Sequence, residues 1–106
     1  MTQPSPSTEP TRAEIEATPG PLLLEFGTDW CGHCRRAQPL ITEALARHPG
    51  MQHMRVIDGA GKPLGRSFGV EIWPTLVLLR ESREVSRLVR PSVAEEIARA
   101  AEELQA

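Results

Sequence analysis

The stretch FGTDWCGHC, residues 26–34, joins an apolar run to a helical pattern and contains the only two cysteines of this 106-residue chain. Two residues separate Cys31 from Cys34, and at the first turn of a helix this spacing lets the two sulfurs meet in a disulfide. The free backbone N–H groups and the dipole of the helix would stabilise a thiolate on the first cysteine. A redox-active dithiol is therefore the leading hypothesis for this stretch.

Apolar periodicity and breaker residues predict the elements on either side of the dithiol. Residues 21–27 form an apolar run with one charge, Glu25, as expected of a central strand covered on both faces. A helix is predicted from Gly32 to about His48, with a kink at Pro39, which lies inside it. One face of this helix is apolar and consists of Ala37, Leu40, Ile41, Ala44 and Leu45.

The second half of the chain has the pattern of further strands and helices. Strands are predicted at residues 52–58, 75–80 and 84–90, of which the last two form a hairpin. A short helical turn is expected at 64–68. The C-terminal helix opens with the capping-box pattern SVAE, residues 92–95, and its apolar side carries Val93, Ile97, Ala101 and Leu104.

The ends of the chain complete an α/β domain with the order β-α-β-α-β-β-α. Residues 1–11 are rich in Pro, Ser and Thr and are expected to form a disordered tail. Residues 12–17 favour a short helix before the first strand. The single domain is therefore predicted to span residues 12–106.

Charge and hydropathy exclude several function classes. The net charge is −2 with both signs interspersed, so no basic stripe for nucleic acid is present. The longest apolar run, Leu76–Leu79, is far shorter than the ~18 residues that span a bilayer. The N-terminus lacks the basic and apolar regions of a signal peptide, so we expect a cytoplasmic protein, or a periplasmic one if a leader was trimmed.

A Cys-x-x-Cys pair is also half of a zinc site, which needs four ligands in a tetrahedral array. No second cysteine pair exists in this chain. Completing a site would need His33, which is poorly placed inside the loop, together with His48 or His53. We therefore expect no metal site, and the last two histidines are interpreted as surface residues.

A resemblance becomes clear once residues beyond the dithiol are included. The motif WCGHC at residues 30–34, with Pro39 behind it and Ile72-Trp73-Pro74-Thr75 some forty residues on, resembles the thioredoxin family from about Leu22 to Leu104. The resemblance implies a thioredoxin fold with a mixed sheet flanked by helices. Because few residues precede the first strand, we expect the fold to be trimmed at its N-terminus, leaving a central four-stranded sheet.

The resemblance also implies roles for individual residues. Cys31 would be the exposed nucleophile and Cys34 the buried resolving thiol. A cis peptide bond would precede Pro74, and the backbone of Trp73 would pair with an incoming substrate. Two features depart from typical thioredoxins: residue 73 is usually smaller and β-branched, and Gly32-His33 resembles protein disulfide isomerases instead of the usual Gly-Pro.

Two ionisable residues are candidates for tuning the dithiol. A histidine next to the nucleophile can be cationic near neutral pH, so His33 is predicted to favour the Cys31 thiolate and to give a more oxidising potential than Gly-Pro. The alternative is a neutral, solvated His33 that only fills the loop. Glu25, desolvated in its strand, is the candidate acceptor for the proton of Cys34, and the resemblance supports this because the matching position in the family is likewise an acid. Its alternative is a solvated glutamate at a strand edge.

Trp30 and Trp73 are the only tryptophans, and the resemblance sets one on each side of the dithiol. With Gly32 and Pro74 they are the candidate substrate-binding residues, because large amphipathic rings form landing surfaces for polypeptides. Either tryptophan would otherwise be part of the core. For Trp73 the sequence leaves surface and core equally open.

The predicted function is that of a thiol-disulfide oxidoreductase, most simply a monomer with no cofactor beyond its Cys31–Cys34 pair. Its partners would be disulfide-containing proteins, together with a thioredoxin reductase or glutathione as electron donor. Two alternatives stay open: a module that binds a soft metal ion through the cysteines, and a non-enzymatic interaction domain built on the same scaffold.

Overall fold

The computed structural model describes residues 10–106 and contains every element that the sequence predicts, with bounds that differ by no more than two residues. In chain order these are α1 (Arg12–Glu16), β1 (Pro21–Gly27), α2 (Gly32–Ala46), β2 (Gln52–Ile57), α3 (Pro63–Ser67), β3 (Thr75–Arg80), β4 (Arg83–Val89) and α4 (Ala94–Gln105).

The four strands form one mixed sheet in the order β2-β1-β3-β4. Strand β1 is parallel to β2 and antiparallel to β3, and β3 forms an antiparallel hairpin with β4. Parallel pairing of β1 with β2 requires the crossover that α2 provides. The predicted four-stranded α/β architecture is therefore confirmed, with β1 at its centre and the dithiol helix directly after it.

Side chains of β1 alternate between two buried layers because successive strand residues point to opposite faces. Leu23 packs with the buried residues of α2 and α4. Leu22, Leu24 and Phe26 pack on the other face with residues of α1 and α3. Glu25 lies two residues after Leu23, so its carboxylate belongs to the face that α2 covers.

The start of α4 differs from the predicted capping box. The helix begins after Val93, and the acid that reaches back is Glu96: its Oε1 accepts the N–H groups of Ser92 at 2.8 Å and Val93 at 3.2 Å. The predicted acid, Glu95, is one position too early. Val93 precedes the helix with an extended backbone, so it leaves the buried face of α4 in spite of its helical spacing and is exposed, against expectation.

The N-terminal part of the described chain is an ordered helix. Most of the predicted tail, residues 1–9, lies outside the described residues, whereas Thr11 caps α1: its Oγ1 accepts the N–H of Glu14 at 3.0 Å. Ile15 anchors this helix to the sheet, with 1% of its surface exposed. Within residues 10–106, no helix has both the length and the apolar character needed to cross a membrane.

Candidate active site

The two cysteines lie at the N-terminal end of α2, directly after the loop that leaves β1. Cys31 is the N-cap residue with extended backbone, and its C=O accepts the N–H of Arg35 at 3.0 Å. Gly32 is the first helical residue. Both thiols are free, and Cys31 is partly exposed whereas Cys34 is completely buried. An exposed and a buried thiol therefore sit one helical turn apart.

Hydrogen bonds from the helix N-terminus lower the pKa of Cys31 below its ordinary value. The largest cause is the backbone N–H of Cys34; burial comes next and opposes the shift, and the Cys34 thiol and the N–H of His33 lower the pKa further. The positive charge of Arg90 adds to the shift. Donors aimed at a sulfur stabilise its anion, so Cys31 carries more thiolate at neutral pH than an ordinary cysteine.

Burial has the opposite effect on the second thiol and raises the pKa of Cys34. The N–H of Thr28 donates to its Sγ at 3.4 Å and partly opposes this shift, while the nearby charges of Cys31 and Glu25 reinforce it. Gly27 leaves room for the sulfur: a Cβ there would stand 2.7 Å from Cys34 Sγ. Cys31 therefore ionises more readily than Cys34.

Glu25 is fully buried on the α2 side of β1 and has three side-chain partners. Its Oε2 accepts from Gln38 Nε2 at 2.5 Å and lies 3.5 Å from Arg55 Nε, while its Oε1 lies 2.8 Å from His53 Nε2. Arg55 continues outward to Asp29 at 2.9 Å. This cluster satisfies the buried carboxylate, which rules out the alternative of a solvated glutamate at a strand edge.

His53 corrects the sequence interpretation, which treated it as a surface residue without a partner. Its side chain is 32% exposed and bonds the buried acid. The available signal was the alternation of β2, where Met54 and Val56 face the core and the opposite face carries His53 and Arg55. Only the pairing register with β1 shows that this polar face lies beside Glu25. His48 is half-buried and lies outside this cluster.

The resemblance sets one tryptophan on each side of the dithiol, and in the structure the two rings contact each other. Their rings form a T-shaped pair with centroids 5.6 Å apart. Trp30 is 73% exposed, whereas Trp73 is half-buried and donates its Nε1–H to Asp58 Oδ2 at 2.9 Å. Trp73 is thus neither a free surface ring nor a core residue. The peptide bond between Trp73 and the buried Pro74 is cis, as the resemblance implied.

His33 differs from the expectation of a cation beside the thiolate. The nearby charge of Arg90 lowers the pKa of His33, with burial and Arg36 adding to the shift, so the ring is neutral near pH 7. The geometry agrees, because Arg36 Nη2 lies 2.9 Å from His33 Nδ1 and a guanidinium can only donate. The cation that acts on Cys31 is Arg90, which the sequence analysis did not single out.

The thioredoxin family model matches residues 7–103, which covers nearly the whole chain. The chain belongs to the thioredoxin family. The reduced form of thioredoxin 2 from Pseudomonas aeruginosa PAO1 is similar in structure, with a TM-score of 0.80 and 50% identity over 92% of this chain and 95% of that one.

Relatives by sequence include thioredoxins and a disulfide isomerase. A thioredoxin H-type from Fagopyrum esculentum is 31% identical over 64% of this chain, and the match spans 59% of that relative's length. Protein disulfide-isomerase A3 from Gallus gallus is 34% identical over 74% of this chain but only 16% of its own length. Thioredoxins are thiol-disulfide oxidoreductases that act through their own dithiol without an external cofactor.

Proposed function

We propose that this thioredoxin-family chain reduces or exchanges disulfides in other proteins through reversible oxidation of Cys31 and Cys34. The observation that carries the proposal is the opposite shift of the two thiol pKa values, lowered at Cys31 by helix N–H donors and raised at Cys34 by burial. This difference gives the two sulfurs separate tasks. The exposed thiolate attacks first and the buried thiol waits.

In the first step, the Cys31 thiolate attacks one sulfur of a substrate disulfide. A bond forms between Cys31 Sγ and that sulfur, the substrate S–S bond breaks, and the second substrate sulfur leaves as a thiolate that takes a proton. The half-exposed position of Cys31 at the end of α2 gives a substrate access to it. Trp30, Gly32, Trp73 and Pro74 are the residues that we assign to substrate contact.

In the second step, Cys34 loses its proton and attacks Cys31 Sγ. The mixed disulfide breaks, the second substrate thiolate leaves, and a Cys31–Cys34 disulfide remains, so two electrons have passed to the substrate. We assign the proton of Cys34 to Glu25, the buried carboxylate whose charge acts on this thiol. His53 bonds Glu25 and is partly exposed, which provides a route from the carboxylate to solvent.

The proposed net direction is reduction, in a compartment that keeps thiols reduced, such as the cytoplasm. The Cys31–Cys34 disulfide must then be reopened by a donor of two electrons. We propose a thioredoxin reductase or glutathione for this task. The direction depends on the redox midpoint, which is about −270 mV for thioredoxin and about −180 mV for protein disulfide isomerase.

The test of this function is the reduction of insulin disulfides by dithiothreitol, with and without catalytic amounts of the protein. We expect the wild type to accelerate the reaction and Cys31→Ser to abolish the acceleration. Cys34→Ser is expected to accumulate a mixed disulfide with insulin, because the second step is lost. A wild-type rate equal to that of dithiothreitol alone would refute the proposal.

A glutathione redox series, followed by the fluorescence of Trp30 and Trp73, then gives the midpoint of the Cys31–Cys34 couple. Metal analysis of the purified protein, made before any glutathione is added, tests the soft-metal alternative because it reports bound ions directly. Among residues 10–106, no three Cys, His, Asp or Glu side chains converge in an arrangement that could hold a metal ion.

A further inference from the structure

Arg90 has a backbone conformation that is unusual for its residue type. It follows β4 with φ of 51°, in the left-handed region that a residue with a Cβ avoids. Two bonds hold it there: its N–H donates to Pro74 O at 3.0 Å, and its Nε–H donates to Trp73 O at 2.7 Å. Strained residues that are held in this way occur often at functional sites.

The carbonyl that Arg90 contacts belongs to the proposed substrate-binding segment. Trp73 directly precedes Pro74, and its ring packs against the exposed Trp30. A carbonyl oxygen has two lone pairs, so Trp73 O can accept from Arg90 and also from the backbone N–H of a docked polypeptide. The guanidinium would then lie beside the residues that flank the cysteine of that polypeptide.

The charge of Arg90 also acts on the two residues at the start of the dithiol helix, His33 and Cys31. It is the largest cause that lowers the pKa of His33, and it adds to the lowering of the Cys31 pKa that begins with the N–H of Cys34. The side chain is exposed, so a ligand can reach it. A guanidinium carries five N–H donors in a planar fork that matches the two oxygens of a carboxylate.

We propose that Arg90 is a specificity-determining residue that favours protein disulfides flanked by Asp or Glu. The carboxylate of such a substrate pairs with the guanidinium while the substrate backbone pairs with Trp73. The apolar surfaces of Trp30 and Ile72, 73% and 47% exposed, provide contact for the rest of the segment. This inference rests on the proposed disulfide chemistry and adds a substrate class to it.

The test uses synthetic peptides that differ only in the residue before a single cysteine, Glu in one and Lys in the other, each joined through a disulfide to 2-mercaptoethanol. The rate constant for each peptide with the reduced protein is divided by its rate constant with dithiothreitol, which removes differences in intrinsic reactivity. For the wild type we expect the Glu peptide to be favoured about fivefold to tenfold at low salt, falling as salt screens the pair.

Two variants and a control make the test specific. Arg90→Gln is expected to reduce the preference to within about twofold, since an amide has no charge to pair with the carboxylate. Arg90→Lys is expected to fall between the two, because it keeps the charge but not the fork. Arg83→Gln removes the same charge from the other end of the β3–β4 hairpin and is expected to keep the wild-type ratio.

The outcomes separate this inference from the proposed function. A wild type that reduces both peptides at equal normalised rates, or an Arg90→Gln variant that keeps the wild-type preference, would overturn the inference and leave the disulfide chemistry standing. A wild type that reduces neither peptide, while dithiothreitol reduces both, would instead overturn the proposed function. A change in Cys31 thiolate alone alters both rates together and leaves their ratio unchanged.

Discussion

Gly27→Ala tests whether the packing around the buried sulfur is as tight as the structure indicates. The new Cβ would stand 2.7 Å from Cys34 Sγ, whereas ordinary contacts begin at 3.4 Å, so the sulfur or the strand must shift by about 0.7 Å. The side chain of Cys34 is completely buried and its backbone is fixed in the first turn of α2. Forcing one extra methyl into such a site costs about 1–3 kcal/mol.

The measurement is urea unfolding of the reduced protein, kept in excess reductant so that no disulfide contributes. We expect Gly27→Ala to lower the free energy of unfolding by about 2 kcal/mol, equivalent to a melting temperature lower by roughly 10 °C for a domain of this size. The matched control is Gly50→Ala, whose Cβ would meet only Gln105 Nε2 at 3.5 Å. The control is expected to stay within about 0.5 kcal/mol of the wild type.

The same substitution has a chemical consequence at the dithiol. Moving the sulfur away from Gly27 also weakens its hydrogen bond with the N–H of Thr28, which opposes the raised pKa of Cys34. Cys34 then resolves the mixed disulfide more slowly, and acid-quenched insulin reactions are expected to contain more trapped complex. Equal stabilities of Gly27→Ala and Gly50→Ala would refute the packing argument, whatever the activity.

Three further perturbations test other parts of the structure. The backbone N–H of Ser92, followed by that of Val93, holds the pKa of Glu96 below its ordinary 4.5. The ionised Glu96 therefore stabilises the fold above pH 4.5, and this contribution is lost as pH falls through the lower pKa of the folded state. We expect Glu96→Gln to show a smaller decrease of the urea midpoint in acid than the wild type. Removing the partner of a buried carboxylate by His53→Ala is expected to cost about 1–3 kcal/mol, but much less in a Glu25→Gln background; additive losses in this double-mutant cycle would contradict the pairing. Ile41 is 2% exposed and packs between α2 and the sheet, so Ile41→Ala leaves a cavity there. We expect the free energy of unfolding, measured in guanidinium chloride, to fall by about 2–5 kcal/mol. A loss below about 1 kcal/mol would contradict the place of Ile41 in the core.

Local patterns were sufficient for the elements of this fold because each pattern has a period or a breaker that acts over a few residues. The apolar run of β1 ends at Gly27, and the helix that follows buries Ala37, Ile41 and Ala44 at helical spacing. The predicted start of α4 was wrong because two adjacent glutamates follow Ser92 and sequence spacing alone favours the first. The actual choice depends on where the backbone becomes helical, which packing against α2 and the sheet decides.

The polar parts of the site could not be predicted because they depend on register between distant segments. His53 and Glu25 are 28 residues apart in the chain, and a slip of one residue between β1 and β2 would turn the histidine to the other face. Arg90 reaches Trp73 only because the β3–β4 hairpin returns the chain to the start of β3. Nothing local distinguishes this arginine from the ten others in the sequence.

The source of positive charge at the reactive sulfur determines how its reactivity depends on pH. An imidazolium at His33 would lose its charge as pH rises through its ordinary pKa of 6.5, and the structure lowers the pKa of His33 further, chiefly through Arg90. The Cys31 thiolate is stabilised first by the N–H of Cys34, with Arg90 adding a charge that persists at all physiological pH values. A stabilised thiolate makes a disulfide easier to reduce. A midpoint more oxidising than that of a Gly-Pro thioredoxin stays a prediction. Because the charge of Arg90 persists while the pKa of His33 is lowered, we expect this midpoint to vary little with the protonation of His33.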